Sequence, residues 1–204
     1  MGESPLLGRR YQKESYTDEE MTALLDTLSR STAPTAIRNK ALIATMWQGG
    51  LRLNEALSMS PSDFDTSQPE IHVRFGKAGK DGRPRERRVR PGPYAVASVR
   101  EWKATRTELG LPDRGTLFCT LDGRKMYQTY VRAMLNRVAK KARWSKRIHP
   151  HGLRHTFAVT LARAGVPAAI IQRQLGHSSL ATTTIYLQTL TSEDIAEAMN
   201  KVWN

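Results

Sequence analysis

Apolar residues recur at helical spacing along most of this 204-residue chain, and the period switches to alternation at Ile71, Val73 and Phe75. A chain so patterned folds mainly from helices, with a small sheet built around that one segment. Thr17 and Glu20 form a capping box ahead of Met21, Leu24, Leu25 and Leu28, which predicts a first helix. A second helix is expected over about Pro34 to Gln48, stopped by Gly49-Gly50, and a short third over Leu51 to Met59, ending before Pro61. After the strand, Lys77 to Pro84 reads as a glycine-rich basic turn and Arg87 to Arg90 as the return strand of a hairpin. Helical character returns over about Tyr94 to Leu109.

Thr116 to Thr120 reads as a short strand followed by an Asp122-Gly123 turn. Val131, Met134, Leu135 and Val138 then mark a long basic helix. The next helix starts near Pro150, with Leu153, Phe157 and Leu161 toward the core. Another opens at Val166-Pro167 and closes at Gly176, and Ser179 caps a further one through Tyr186. A terminal helix is expected over about Ser192 to Val202, with Ile195, Met199 and Val202 on one side and Trp203 beside them. Residues 1–16 are polar and rich in turn formers, and read as a linker or arm. The expected fold class is α+β, mainly α: a helical bundle with a small antiparallel sheet over residues 17–204, without internal repeats.

Charge narrows the function. Lys and Arg number 32 against 19 Asp and Glu, a formal net charge of +13. Between Gly123 and Ser192 no acid occurs while twelve Lys and Arg do, and Arg74 to Arg90 holds a second basic cluster. A single-sign field of this size suits a polyanion bound through its phosphates, with nucleic acid as the expected partner. The one cysteine, Cys119, leaves no internal disulfide framework and no multi-cysteine zinc site. No apolar run reaches the length of a transmembrane helix, and the first residues lack the apolar stretch of a secretory signal. A cytoplasmic protein without a membrane partner is the expectation.

Six side chains carry candidate chemistry. In His149-Pro150-His151-Gly152-Leu153-Arg154, His151 and Arg154 stand three residues apart near a helix start, where free N–H groups already favour an anion. A guanidinium and an imidazole there suit a phosphate oxygen and a moving proton. A zinc reading of His151 with His155 lacks the glutamate of a metalloprotease motif and a third ligand, and sets Arg154 beside the metal. His177 follows Gly176 in a turn, and Tyr186 lies nine residues on. A tyrosine, with its ordinary pKa about 10, becomes a nucleophile where cations favour the phenolate. Arg52 follows the double glycine, with Glu55 three residues later placed to pin an arginine by a bidentate ion pair. Lys77 sits in a turn that lacks the phosphate-binding pattern of nucleotide-triphosphate enzymes.

In chain order these read Arg, Lys, His-x-x-Arg, His, Tyr. The chain resembles the catalytic domain of the tyrosine recombinases, the phage integrase and Xer-like family. The likeness rests on GGLRLNEAL, FGKAGKDGRPRERRVRP and HPHGLRHTFAVTLARAGVPAAIIQRQLGHSSLATTTIY, and covers about residues 17 to 204. It implies a metal- and ATP-independent DNA transesterification in which Tyr186 forms a 3′-phosphotyrosyl link. Arg52 and Arg154 would clamp the phosphate oxygens, and Lys77 would protonate the leaving 5′-oxygen, with Lys80 as the alternative because the turn is longer than the family's compact form. His151 would assist proton transfer and His177 would hydrogen-bond the phosphate or orient the site, while Glu55 would act structurally. No cofactor or metal is implied.

The same resemblance implies double-stranded DNA as partner, and a homo-tetramer on DNA assembled through the C-terminal helix from chains monomeric without it. A bacterial or phage-encoded cytoplasmic protein is expected, with the family's N-terminal core-binding domain absent. Two other readings share the basic field. One is a catalytically inactive or regulatory DNA-binding integrase fragment; the other is a type IB topoisomerase-like enzyme that relaxes DNA without exchanging strands.

Overall fold

The computed structural model describes residues 15–74, 86–177, 183, 184, 190–194, 196 and 200. Thr17 caps α1 (Asp18–Ser29) as its spacing predicts: its Oγ1 accepts from the Glu20 N–H at 3.2 Å, and Glu20 Oε2 accepts from the Thr17 N–H at 2.8 Å. Met21, Leu24, Leu25 and Leu28 are all buried. The helix α2 (Pro34–Gln48) is the centre of the domain, with a continuous run buried from Ala41 to Met46. Around it pack α1, the short α3 (Leu53–Ser58), α4 (Pro93–Glu108) and α6 (Pro150–Arg163), while the basic α5 (Gln128–Lys141) lies against α1.

The sheet gains one strand that the sequence does not mark and lacks one that it does. A two-residue β1 (Phe64–Asp65) pairs antiparallel with β2 (Glu70–Val73), which pairs antiparallel with β3 (Arg87–Val89). Ile71 and Val73 face inward as the alternation requires, and Phe64 and Val89 join them in the core. The turn between β2 and β3, with Phe75, Lys77 and Lys80, lies outside the described residues. The expected strand at Thr116 to Thr120 reduces to a single antiparallel bridge between Cys119 and Lys125. Its polar groups are taken elsewhere: the Leu117 N–H donates to the Met59 carbonyl, and the Leu117 carbonyl accepts from the Trp102 indole and Arg106. With those groups paired outside a ladder, Thr116 to Thr120 does not become a strand.

The helix α7 (Ala168–Leu175) ends at Gly176 in the left-handed conformation and packs beside β3 and α6. A second, smaller apolar cluster joins them, with Phe157, Ala158, Val159 and Ala162 against Ile171 and Leu175. Tyr16, placed by the sequence at the end of the arm, belongs to the body: it is buried, and its N–H donates to Thr156 Oγ1 at 2.9 Å. Its ring lies against Trp144 and its hydroxyl against Gly152, where a side chain would have no room. Among the described residues no helix is long and apolar enough to cross a membrane. The observed class, mainly helical with a small antiparallel sheet, is the expected one.

Candidate active site

The start of α6 builds one wall of the site. His149 is its N-cap, in extended backbone, and its Nδ1 accepts from the Gly152 N–H at 2.9 Å, satisfying a donor that the first turn leaves open. Pro150 follows at the first position, where a missing N–H costs nothing. His151 is exposed, its ring stacked on that of His149 with centroids 6.5 Å apart. Arg154, one turn on, is only 2% exposed.

That buried guanidinium is fixed by backbone. Nη1 donates to the Gly50 carbonyl and Nη2 to the Leu175 carbonyl, both at 2.6 Å, and Nη1 lies 3.8 Å from Glu55 Oε2. Gly50 has φ +62, and a Cβ there would lie 2.4 Å from Phe157 Cδ1. The second glycine therefore does more than stop a helix: it lets backbone approach α6 closely enough for Arg154 to reach it.

Glu55 is the carboxylate on which Arg52, Arg87 and Arg154 converge. It occupies the third position of α3, and Oε2 accepts from the Arg52 N–H at 2.8 Å while Oε1 accepts from Arg52 Nη1 at 2.8 Å. Arg87 from β3 grips both oxygens, Nη1 to Oε1 and Nη2 to Oε2, each at 2.9 Å. This is the bidentate pair expected of Glu55, with Arg87 as its partner. Burial works to raise the carboxyl pKa, but the hydrogen bonds and charge of Arg87, joined by Arg52, outweigh it and hold Glu55 at about 2.

Arg52, His151 and Arg154 line one cleft of about 240 Å³, together with Leu53, Arg132, His149 and Pro150. The lining has three arginines and no carboxylate, so the cleft is chemically a receptor for an anion. His177 follows the turn at Gly176, half-buried, with Nδ1 3.0 Å from Thr183 Oγ1. Burial, then the positive charges of Arg154, Arg52 and Arg87 and the ring of His151, push its pKa down to about 4, so its imidazole is neutral near pH 7. Lys77, Lys80 and Tyr186 lie outside the described residues, as do the side chains of Ile195, Met199, Val202 and Trp203. His155, the second histidine of the zinc reading, is buried within α6. Among the described residues no group of three His, Cys, Asp or Glu could hold a metal ion.

Three participants carried no individual role in the sequence. Arg132 was one cation in a basic helix; it lines the cleft, its Nη2 donating to Gln128 Oε1 at 3.0 Å. His149 was only part of a motif and proves to be a cap. Arg87 was one cation of a hairpin, yet alternation gives the signal: two residues before the buried Val89, it shares Val89's inward face.

The phage integrase family matches residues 14–193. The tyrosine recombinase XerC of Listeria welshimeri is 33% identical over 174 residues, covering 84% of this chain and 56% of that protein. The chain spans little more than half the length of the curated relatives it matches. Among solved structures, that of XerA recombinase superposes with a TM-score of 0.79 at 26% identity, covering 95% of this chain and 66% of that one. XerH site-specific recombinase, in a post-cleavage complex with its palindromic difH substrate, gives 0.74 at 25% identity, covering 93% and 53%. With the match running through α1 to α7 and the arginine cleft between them, this chain belongs to the phage integrase family.

Proposed function

We propose that this chain is a recombinase catalytic unit that cuts and rejoins double-stranded DNA at specific sites. The observation that carries the reading is the convergence of Arg52, His151 and Arg154 on one carboxylate-free cleft, from segments far apart in the chain. Three arginines around about 240 Å³ suit a phosphodiester, and the histidines beside them suit proton movement. Membership of a family whose curated relatives are named tyrosine recombinases supports the same reading.

In the proposed step the Tyr186 oxygen attacks the scissile phosphorus. The bond from phosphorus to the 5′-oxygen breaks, a 3′-phosphotyrosyl ester forms, and the 5′-oxygen leaves as a hydroxyl carrying the proton of a lysine, Lys77 or Lys80. Arg52 and Arg154 meet the charge that builds on the non-bridging oxygens. His151 takes the tyrosine proton, and neutral His177 offers a hydrogen bond to the phosphate. Because the ester conserves the bond, a 5′-hydroxyl from another strand reverses the step, and the chemistry as written draws on no metal ion and no nucleotide.

The basic face of α5, with Arg137 and Lys140, lies along the duplex in this reading. The catalytic unit includes Tyr16 and runs on through residue 204 in this reading, and chains assemble as a tetramer on two sites through the C-terminal helix. The deciding experiment is covalent trapping. A nicked duplex bearing a site that the chain selects from a randomised DNA pool is incubated with it, then denatured in detergent. A slower protein–DNA band that disappears in Tyr186→Phe is expected. A bound site that yields no band would leave DNA binding without cleavage.

A further inference from the structure

Arg87 has its whole fork committed inward. Its side chain is 10% exposed, two of its nitrogens hold the two oxygens of Glu55, and its Nε donates to the Gln174 carbonyl at 2.9 Å. Glu55 in turn holds both the backbone N–H and the side chain of Arg52. Gln174 lies in the last turn of α7, just ahead of Gly176 and His177. At Gly176 a Cβ would stand 2.8 Å from Arg87 Cδ and 3.0 Å from its Nε, so the turn leading to His177 rests directly on this side chain.

We propose that Arg87 is a positioning residue of the cleavage site: its fork, closed on Glu55 and Gln174, sets Arg52 and the His177 turn relative to each other. The inference rests on the cleavage reading above. Arg87 does not line the cleft, so it acts through its neighbours. Three donors in one plane are needed, two for a carboxylate and one for a carbonyl pointing elsewhere. Lysine keeps the charge but has a single nitrogen, which cannot reproduce that fork. Arg52 is the side chain most sensitive to the change, because it is 32% accessible and Glu55 holds both its guanidinium and its backbone N–H.

The test is a double-mutant cycle on single-turnover cleavage of the nicked duplex, with DNA affinity and thermal unfolding recorded for each variant. Arg87→Lys is expected to bind DNA as the unsubstituted chain does and to cleave about 10²-fold more slowly, the scale of an angstrom-sized misplacement. The losses from Arg52→Lys and Arg87→Lys are expected not to multiply, the double variant cleaving about as slowly as Arg52→Lys alone. A role in folding alone would instead lower the active fraction and multiply with the Arg52 defect. Glu55→Gln, which loosens the same fork from the other side, carries the same expectation if Arg87→Lys does not fold. Undiminished cleavage by Arg87→Lys, or losses that multiply, would overturn the proposal while leaving the cleavage reading intact. No covalent product from the unsubstituted chain would remove both.

Discussion

Arg154 donates from Nη1 to the carbonyl oxygen of Gly50 at 2.6 Å, a hydrogen bond between residues 104 apart in the chain. It joins the end of the central helix to α6, the helix bearing His151. Its Nη2 makes the matching bond to Leu175 at the end of α7. One guanidinium thus ties three helices at the point where the cleft opens.

Removing that tie costs stability as well as chemistry. Arg154→Ala leaves two buried carbonyls without this donor and Glu55 with one cation fewer, and a loss of about 3 kcal/mol in chemical denaturation is expected. Arg154→Lys can satisfy one carbonyl at a time and falls between. In the proposed reaction either change also lowers cleavage, by about 10²–10³-fold for loss of a phosphate-oxygen donor.

Gly152 is a packing requirement set by Tyr16, a residue from the other end of the chain. A Cβ at Gly152 would lie 2.2 Å from the Tyr16 hydroxyl oxygen. That hydroxyl donates to the Arg147 carbonyl and accepts from the His149 N–H, so displacing it disturbs the entry to α6. Gly152→Ala is expected to destabilise by about 1–3 kcal/mol, read as a lower denaturation midpoint.

His177 makes folding pH-dependent in a definite direction. Its folded pKa of about 4 lies below the ordinary 6.5, so between those values the unfolded chain binds a proton that the folded chain refuses. The contribution is fully present above pH 6.5 and is lost as pH falls toward 4. The drop in stability from about pH 7 to about pH 5 is therefore expected to shrink in His177→Gln. An identical drop in both proteins would contradict this placement of the imidazole. Glu55, held at about 2, titrates below the window.

On α5, Arg137 and Lys140 are exposed, and Arg137 lies over the Tyr130 ring at 5.7 Å. If this face follows the duplex, Arg137→Gln with Lys140→Gln flattens the dependence of log affinity on log salt by about 0.9 for each phosphate no longer neutralised. An unchanged slope would move the duplex to another face.

Local chemistry made much of this protein readable in one dimension. The Thr17–Glu20 box, the buried 3.6-residue spacing of α1 and α5, the inward alternation of Ile71 and Val73 and the stop at Gly176 depend on neighbours a few residues away. The string His151-to-Arg154 and the pairing of Glu55 with an arginine were equally legible, because spacing on a helix turn decides which side chains share a side. What no local rule contains is which distant groups meet. That Arg87 rather than another cation closes on Glu55, that Gly50 admits Arg154, that Leu117 spends its polar groups on Met59, Trp102 and Arg106 instead of a strand, and that Tyr16 fills the space beside Gly152 follow from how the helices pack around α2. Sequence determined the elements and the kinds of side chain available to them; packing at a distance decided which of those side chains became one site.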